Sequence, residues 1–240
     1  MTPALLEQLL AARRQGRALA LATLLPAGSQ SLIDAETAEG TLALADDDLA
    51  RIRAAIADDA SRTIETGLGS VFVEVWNPPL RLILVGAVHI GQALALMAAL
   101  GGYRVTVVDP RAGFAAPDRF PGVEILAEWP DEVLPGLRPD RRTAIVTLSH
   151  DPKIDDPALA AAVQSQAFYI GALGSRRTHG KRLERLAVAG FGPADLARIH
   201  GPVGLAIGAL TPAEIAISIL AEITAVLHRA SLAIRPGDAA

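Results

Sequence analysis

The most pointed chemistry in this chain lies in Gly171-Ala172-Leu173-Gly174-Ser175-Arg176-Arg177. The two glycines allow close backbone approach, Ser175 is placed to cap a following helix, and Arg176 and Arg177 fall in that helix's first turn. Cations there oppose the helix dipole and cost stability unless an anion or carboxylate compensates. Arginine also forks onto phosphate and carboxylate oxygens. The pattern reads as an anion site at Ser175–Arg177. The alternative is an exposed basic helix with both arginines paired to acidic neighbours. Lys181, Arg182 and Arg185 continue the charge and read as a solvated face.

Three other stretches carry polar groups that could join such a site. Gly86-Ala87-Val88-His89-Ile90-Gly91 links an apolar strand to a helix, and a second apolar strand ends on Asp109, ~20 residues on, where a dinucleotide-binding βαβ unit places its ribose carboxylate. The usual turn is G-x-G-x-x-G, and Val88 stands at its middle glycine, which ordinarily lets backbone approach a pyrophosphate. Two readings stand. One is a nucleotide cradle at a helix N-terminus, using Gly86, His89, Gly91 and Asp109; the other is a tight turn that needs glycine and binds nothing. An acidic group at 109 favours NAD over NADP, a preference that Arg111 softens. Ser149-His150-Asp151 is not a catalytic triad, because adjacent side chains at a strand end diverge while a triad converges from distant segments. It leaves His150 or Asp151 as a ligand contact or acid–base group, or Asp151-Pro152 as the start of a turn. The five histidines lack metal-ligand spacing, and pairs such as Asp155–Asp156 are explained by helix starts, so no metal site is expected.

The elements that must position these groups alternate. Leu82–Val85, the run into Asp109, Val123–Ala127, Thr143–Ser149 and Ala167–Ile170 read as strands, with helices over 92–100, from Asp155 to Gln164 and over 176–189 between or after them. That order predicts a Rossmann-like, doubly wound, mainly parallel α/β sheet, and all four stretches fall at the carboxyl ends of its strands. Thr211-Pro212-Ala213-Glu214 has capping-box spacing and opens a long apolar helix to about Arg229. Upstream, a helix from Thr2-Pro3, strands over 17–25, 41–45 and 71–76, and a helix from Asp46 form a small α+β module. Asn77-Pro78-Pro79 marks a boundary, giving domains 1–77 and 78–240.

Composition bounds the function. Half of the 240 residues are hydrophobic but only 4% are aromatic, so the core is aliphatic, and a net charge of −4 gives no electrostatic footprint for nucleic acid. With no cysteine there is neither a disulfide nor a thiolate nucleophile. The N-terminus lacks the basic-then-apolar order of a signal peptide, and the apolar runs are too short or too interrupted to span a bilayer. A cytoplasmic protein is expected.

LILVGAVHIGQALA, VTVVDPR, TLSHDPKIDDPAL, YIGALGSRRTHGKRLERL and IHGPVGLAIGALTPAEIAISILAEI together cover most of residues 80–225. In these stretches the chain resembles the XdhC/CoxI family, accessory proteins of molybdenum-cofactor enzymes such as xanthine dehydrogenase. The resemblance implies a Rossmann-like domain that binds molybdenum cofactor or its dinucleotide form, protects it and hands it to a molybdoenzyme apoprotein of the xanthine dehydrogenase type, with a homodimer as the expected assembly. A maturation factor rather than a catalyst is the expectation. The alternative is an NAD-dependent oxidoreductase using the same crevice, with His150 as its acid–base group. Two departures stand out. The family's turn reads G-A-G-H-x-G where this chain has Val88, and the family's G-S-x-P-R-P and G-G-C-x-E elements are absent, the latter with the cysteine suited to a sulfurated cofactor. The chain is therefore a divergent or abbreviated member, or a partner protein whose missing functions sit on another chain.

Overall fold

A computed structural model of the chain describes residues 1–230. The chain divides into two compact units, Met1–Pro78 and a second that begins at Pro79; the expected domain 78–240 ends in residues that lie outside the described ones.

The first unit is α+β. Helix α1 (Pro3–Arg14) begins where Thr2 accepts from the Leu5 N–H, and strands β1 (Leu19–Leu24), β2 (Gln30–Ile33) and β3 (Ala38–Gly40) follow. After α2 (Asp46–Ala57) come β4 (Arg62–Thr66) and β5 (Gly69–Trp76), and all pairings in the sheet, ordered β3-β2-β1-β5-β4, are antiparallel. Two strands escape the hydrophobic pattern. β2 is too short to show alternation, and Ile64 is the one buried residue of β4. The third strand lies at 38–40 rather than 41–45, because Leu42 is held instead by the Ser31 hydroxyl, which bonds both its N–H and its carbonyl at 3.0 Å.

The second unit alternates strand and helix: β6 (Arg81–Val85), α3 (His89–Leu100), β7 (Arg104–Val108), β8 (Glu124–Leu126), α4 (Pro130–Leu137), β9 (Thr143–Thr147), α5 (Pro152–Gln164), β10 (Tyr169–Ala172), α6 (Arg176–Val188), α7 (Pro193–Leu196), β11 (Ile199–His200) and α8 (Pro212–Leu227). The six strands are parallel in the order β11-β10-β9-β6-β7-β8. Counted from β6, that is the doubly wound order 3-2-1-4-5-6, whose direction reverses between β6 and β9.

Alternation along the strands assigns the two faces. Leu82, Leu84, Val107 and Val146 pack with Leu94 of α3 and with Ile219 and Ile223 of α8. Ile83, Val85, Ile145 and Ile170 pack against Leu134 of α4, Ile154 and Leu159 of α5, and Leu186 of α6. Because both faces are covered, the strands read as unbroken apolar runs. Helix α5 opens at Pro152, not at Asp155, since Asp151 is its N-cap; α3 likewise opens at His89. Among the described residues, no helix is long and apolar enough to cross a membrane.

Candidate functional site

The four stretches meet at the carboxyl edge of the parallel sheet. At the end of β6, Gly86 adopts φ +107, and a Cβ there would stand 2.7 Å from the Ser149 nitrogen, so glycine is what lets this turn lie against the end of β9. Gly91, in the first turn of α3, packs its backbone against the Gly86 carbonyl, 3.2 Å from where a Cβ would sit. Val88 is the N-cap of α3 in extended conformation, φ −91, with its side chain packed on the core, so the β-branched residue sits there without strain but supplies no capping oxygen. His89 points to solvent.

Asp109 is fully buried and its carboxylate is already engaged. Oδ2 accepts from the Ala87 N–H at 2.7 Å, Arg111 forks onto both oxygens at 2.8 and 2.7 Å, and the Arg111 N–H donates at 3.0 Å. Burial pushes this carboxyl up, but the Arg111 guanidinium and the two backbone donors outweigh it and hold it below the usual carboxylate range. In this state Asp109 ties the β6–α3 turn to β7. A ribose hydroxyl would reach it only in exchange for Arg111, whose charge is in turn held up by Asp109 first and by the more distant Asp151 and Asp155.

At the end of β9, exposed His150 adopts φ +62, an uncommon backbone for a residue with a side chain. Asp151 caps α5 by accepting from the Lys153 N–H at 2.9 Å. Asp155, expected to mark a helix start, instead lies inside α5. It is 1% exposed on the inner face of that helix, where it accepts from the Ser149 hydroxyl at 2.7 Å. Burial drives its carboxyl above the ordinary range, and Ser149 and Arg182 offset this only in part.

At the end of β10, Gly174 adopts φ +151 and Ser175 caps α6 by accepting from the Thr178 N–H at 3.1 Å. Arg176 and Arg177 are exposed, and among the described residues neither has a side-chain partner. Of the three cations read as a solvated face, Lys181 and Arg185 are exposed, with Arg185 forked onto Asp156. Arg182 is not. It is 2% exposed, donates to the Leu173 carbonyl at 3.0 Å and reaches Asp155 at 3.4 Å. Charge along a helix says nothing of which residue of the stripe turns inward, and the clue lay in the spacing: Arg182 precedes the core residue Leu186 by one helical turn and so shares its face.

A second polar cluster on this unit joins residues that the motifs do not mark. Glu222 of α8 accepts from the Tyr169 hydroxyl at 2.6 Å and the Gly204 N–H at 2.6 Å, and pairs with His200 Nδ1 at 3.0 Å. The His200 ring stacks on Tyr169 at 4.6 Å between centroids. The one available signal was a carboxylate inside the apolar run of α8. Among the described residues no cluster of His, Asp and Glu is arranged to hold a metal ion.

Residues 82–223 match the profile of the XdhC Rossmann domain. The chain is 38% identical over 168 residues to YqeB, an uncharacterized protein of Escherichia coli K12, a match that covers 68% of this chain and 30% of that one. It is 33% identical over 155 residues to the molybdenum cofactor insertion chaperone PaoD of the same organism, covering 64% of this chain and 42% of that one. A probable xanthine dehydrogenase subunit from Bacillus subtilis 168 is 32% identical, covering 64% and 45%. The chain thus spans less than half the length of these relatives. A crystal structure of a xanthine dehydrogenase from Bacillus halodurans superposes with TM-score 0.73 at 24% identity, covering 97% of this chain and 66% of that one, a likeness of fold.

Proposed function

The chain belongs to the XdhC family, and from that premise we propose that it is an accessory chaperone that binds molybdenum cofactor, or its dinucleotide form, and hands it to a molybdoenzyme of the xanthine dehydrogenase type. What carries the reading within the molecule is the pair of unpartnered arginines, Arg176 and Arg177, at the crevice where Gly86, Ser149 and Gly174 bring three strand ends together. Cations on the positive end of a helix are a standing cost that a bound anion removes. The cargo's phosphate end lies at Gly174–Arg177, with His150 and Asp151 on the adjoining strand end and Arg111 across the crevice. The name borne by PaoD supports the cargo. In this reading no bond of the cofactor is broken: the chain orients it, shields it from water and releases it to the apoenzyme, and two copies act together as a homodimer.

Purified protein should be heated with molybdenum cofactor, its dinucleotide form, NAD and NADP in parallel, since only a ligand of the folded state raises the midpoint. The cofactor forms are expected to raise it, and the Arg176→Ala/Arg177→Ala variant to lose that rise. A shift with NAD alone, abolished by Asp109→Ala, would replace the chaperone reading with the oxidoreductase one.

A further inference from the structure

Arg182 is the only arginine or lysine buried among the described residues. It lies two turns along α6 from the Ser175 cap, and helical side chains lean toward the N-terminus, which carries its guanidinium back beneath the Leu173–Ser175 loop. There only Nη2 is used. Nε and Nη1 are buried without any acceptor, although a guanidinium presents five N–H donors and buried donors are almost always paired. The direction a Cβ would take from Gly174 leads toward Thr178 and Nη1. Built there, it would stand 3.8 Å from Nη1 and 3.3 Å from the Thr178 Cβ, so glycine keeps the space between loop and guanidinium free of a side chain. Its φ of +151 also excludes other residues without strain. At the same end of the helix lie the first N–H groups of α6, which have no acceptor within the helix, and in that turn Arg176 and Arg177 are exposed.

We propose that Gly174–Arg177 and Arg182 form one seat for a phosphoryl group, phosphomonoester or pyrophosphate, with Arg182 as its inner charge. The assignment rests on the reading that the cargo's anionic end lies at this loop. It adds a buried residue to that site and a ligand class. A tetrahedral phosphoryl group offers three terminal oxygens, enough to engage the free N–H groups of the helix end and the Arg182 guanidinium together, with the long side chains of Arg176 and Arg177 within the same turn. Asp155 holds Arg182 from the other side through its 3.4 Å contact and is itself held by Ser149, so the seat is braced from α5 rather than built on the loop alone.

Calorimetric titration of the full chain with inorganic pyrophosphate, and separately with inorganic phosphate, tests the seat. Wild type is expected to bind, with the tighter of the two anions showing whether the seat takes a monoester or a diphosphate end. Arg182→Gln is expected to weaken that anion at least tenfold, Arg182→Lys less, and Gly174→Ala to weaken it by filling the space above Nη1. Wild-type affinity in Arg182→Gln, or no binding of either anion by the wild type, overturns the proposal. Should Arg182→Gln not fold, the side-chain Nε–H resonance of Arg182 in ¹⁵N-arginine-labelled wild type decides: a shift on saturation supports the seat, and an unmoved resonance with the anion bound overturns it. Binding of pyrophosphate without any binding of molybdenum cofactor would retire the cargo while keeping the seat. Cofactor binding unchanged by Arg182→Gln would do the reverse.

Discussion

Two polar clusters sit on the same sheet and differ in how fully they are satisfied. Around Glu222, every contact is short and both carboxylate oxygens are used: Tyr169 and Gly204 on one, His200 on the other. The result ties the loop after β11 to α8. Around Arg182, by contrast, the ion pair is long and two buried donors have no acceptor, one of them beside Gly174. A closed cluster is explained by the fold it holds together. An open one ties loop to helix through Nη2 yet leaves two buried donors whose cost the fold does not offset, and that places it among the groups kept for a ligand.

Substitutions should separate the two by size and by kind. Glu222→Ala orphans the Tyr169 hydroxyl and the Gly204 N–H, and at about 1–3 kcal/mol for each abandoned buried donor it should cost about 4 kcal/mol in urea unfolding. Tyr169→Phe removes one donor and leaves the other partners of Glu222 in place, for a loss of about 1.5 kcal/mol. The double change Arg182→Met/Asp155→Asn replaces a buried ion pair by a neutral one and should alter stability by no more than about 1 kcal/mol, in either direction, while abolishing pyrophosphate binding in calorimetry. A loss as large as that of Glu222→Ala would erase the distinction. Arg185→Ala, which breaks an exposed pair with Asp156, should cost under about 0.5 kcal/mol.

Acid should erase the contrast from both sides, because the two carboxyls are displaced in opposite senses. Burial raises Glu222, but the His200, Tyr169 and Gly204 bonds outweigh it and its folded value lies below the reference 4.5. Its stabilisation is therefore present above that pH and lost as pH falls through the lower folded value. Asp155 is raised above its reference 3.8 by burial. Its charged form costs stability above the folded value, and that cost is relieved as pH falls toward 3.8. In unfolding curves from pH 7 to 3.5, the deficit of Glu222→Gln against wild type should shrink at the acid end, and so should any advantage of Asp155→Asn.

Much of the second unit was legible before its structure. Unbroken apolar strands bounded by Gly, Pro and Asp, with helices between them, give a doubly wound sheet, and the placement of Gly86, Ser149 and Gly174 at its carboxyl edge follows from where each strand ends. The short β2 and the polar β4 were hidden because their pairing is carried by backbone bonds that leave little hydrophobic signature. At the site, Ser175 reads directly as a cap. The roles of Asp155 and Arg182 do not, since a run such as Asp155-Asp156 or Lys181-Arg182 divides between a buried and an exposed member according to helix rotation, which tertiary packing sets. Asp109 was placed correctly at its strand end, yet only the structure reveals the Ala87 and Arg111 donors that occupy it.

The most direct measurement is equilibrium binding of molybdenum cofactor to the purified chain, compared across wild type, Arg176→Ala/Arg177→Ala and Tyr169→Phe. Saturable binding that weakens at least tenfold in the double arginine variant and is retained in Tyr169→Phe is the expected result. Equal affinity in the wild type and the double arginine variant would contradict the assignment of the crevice.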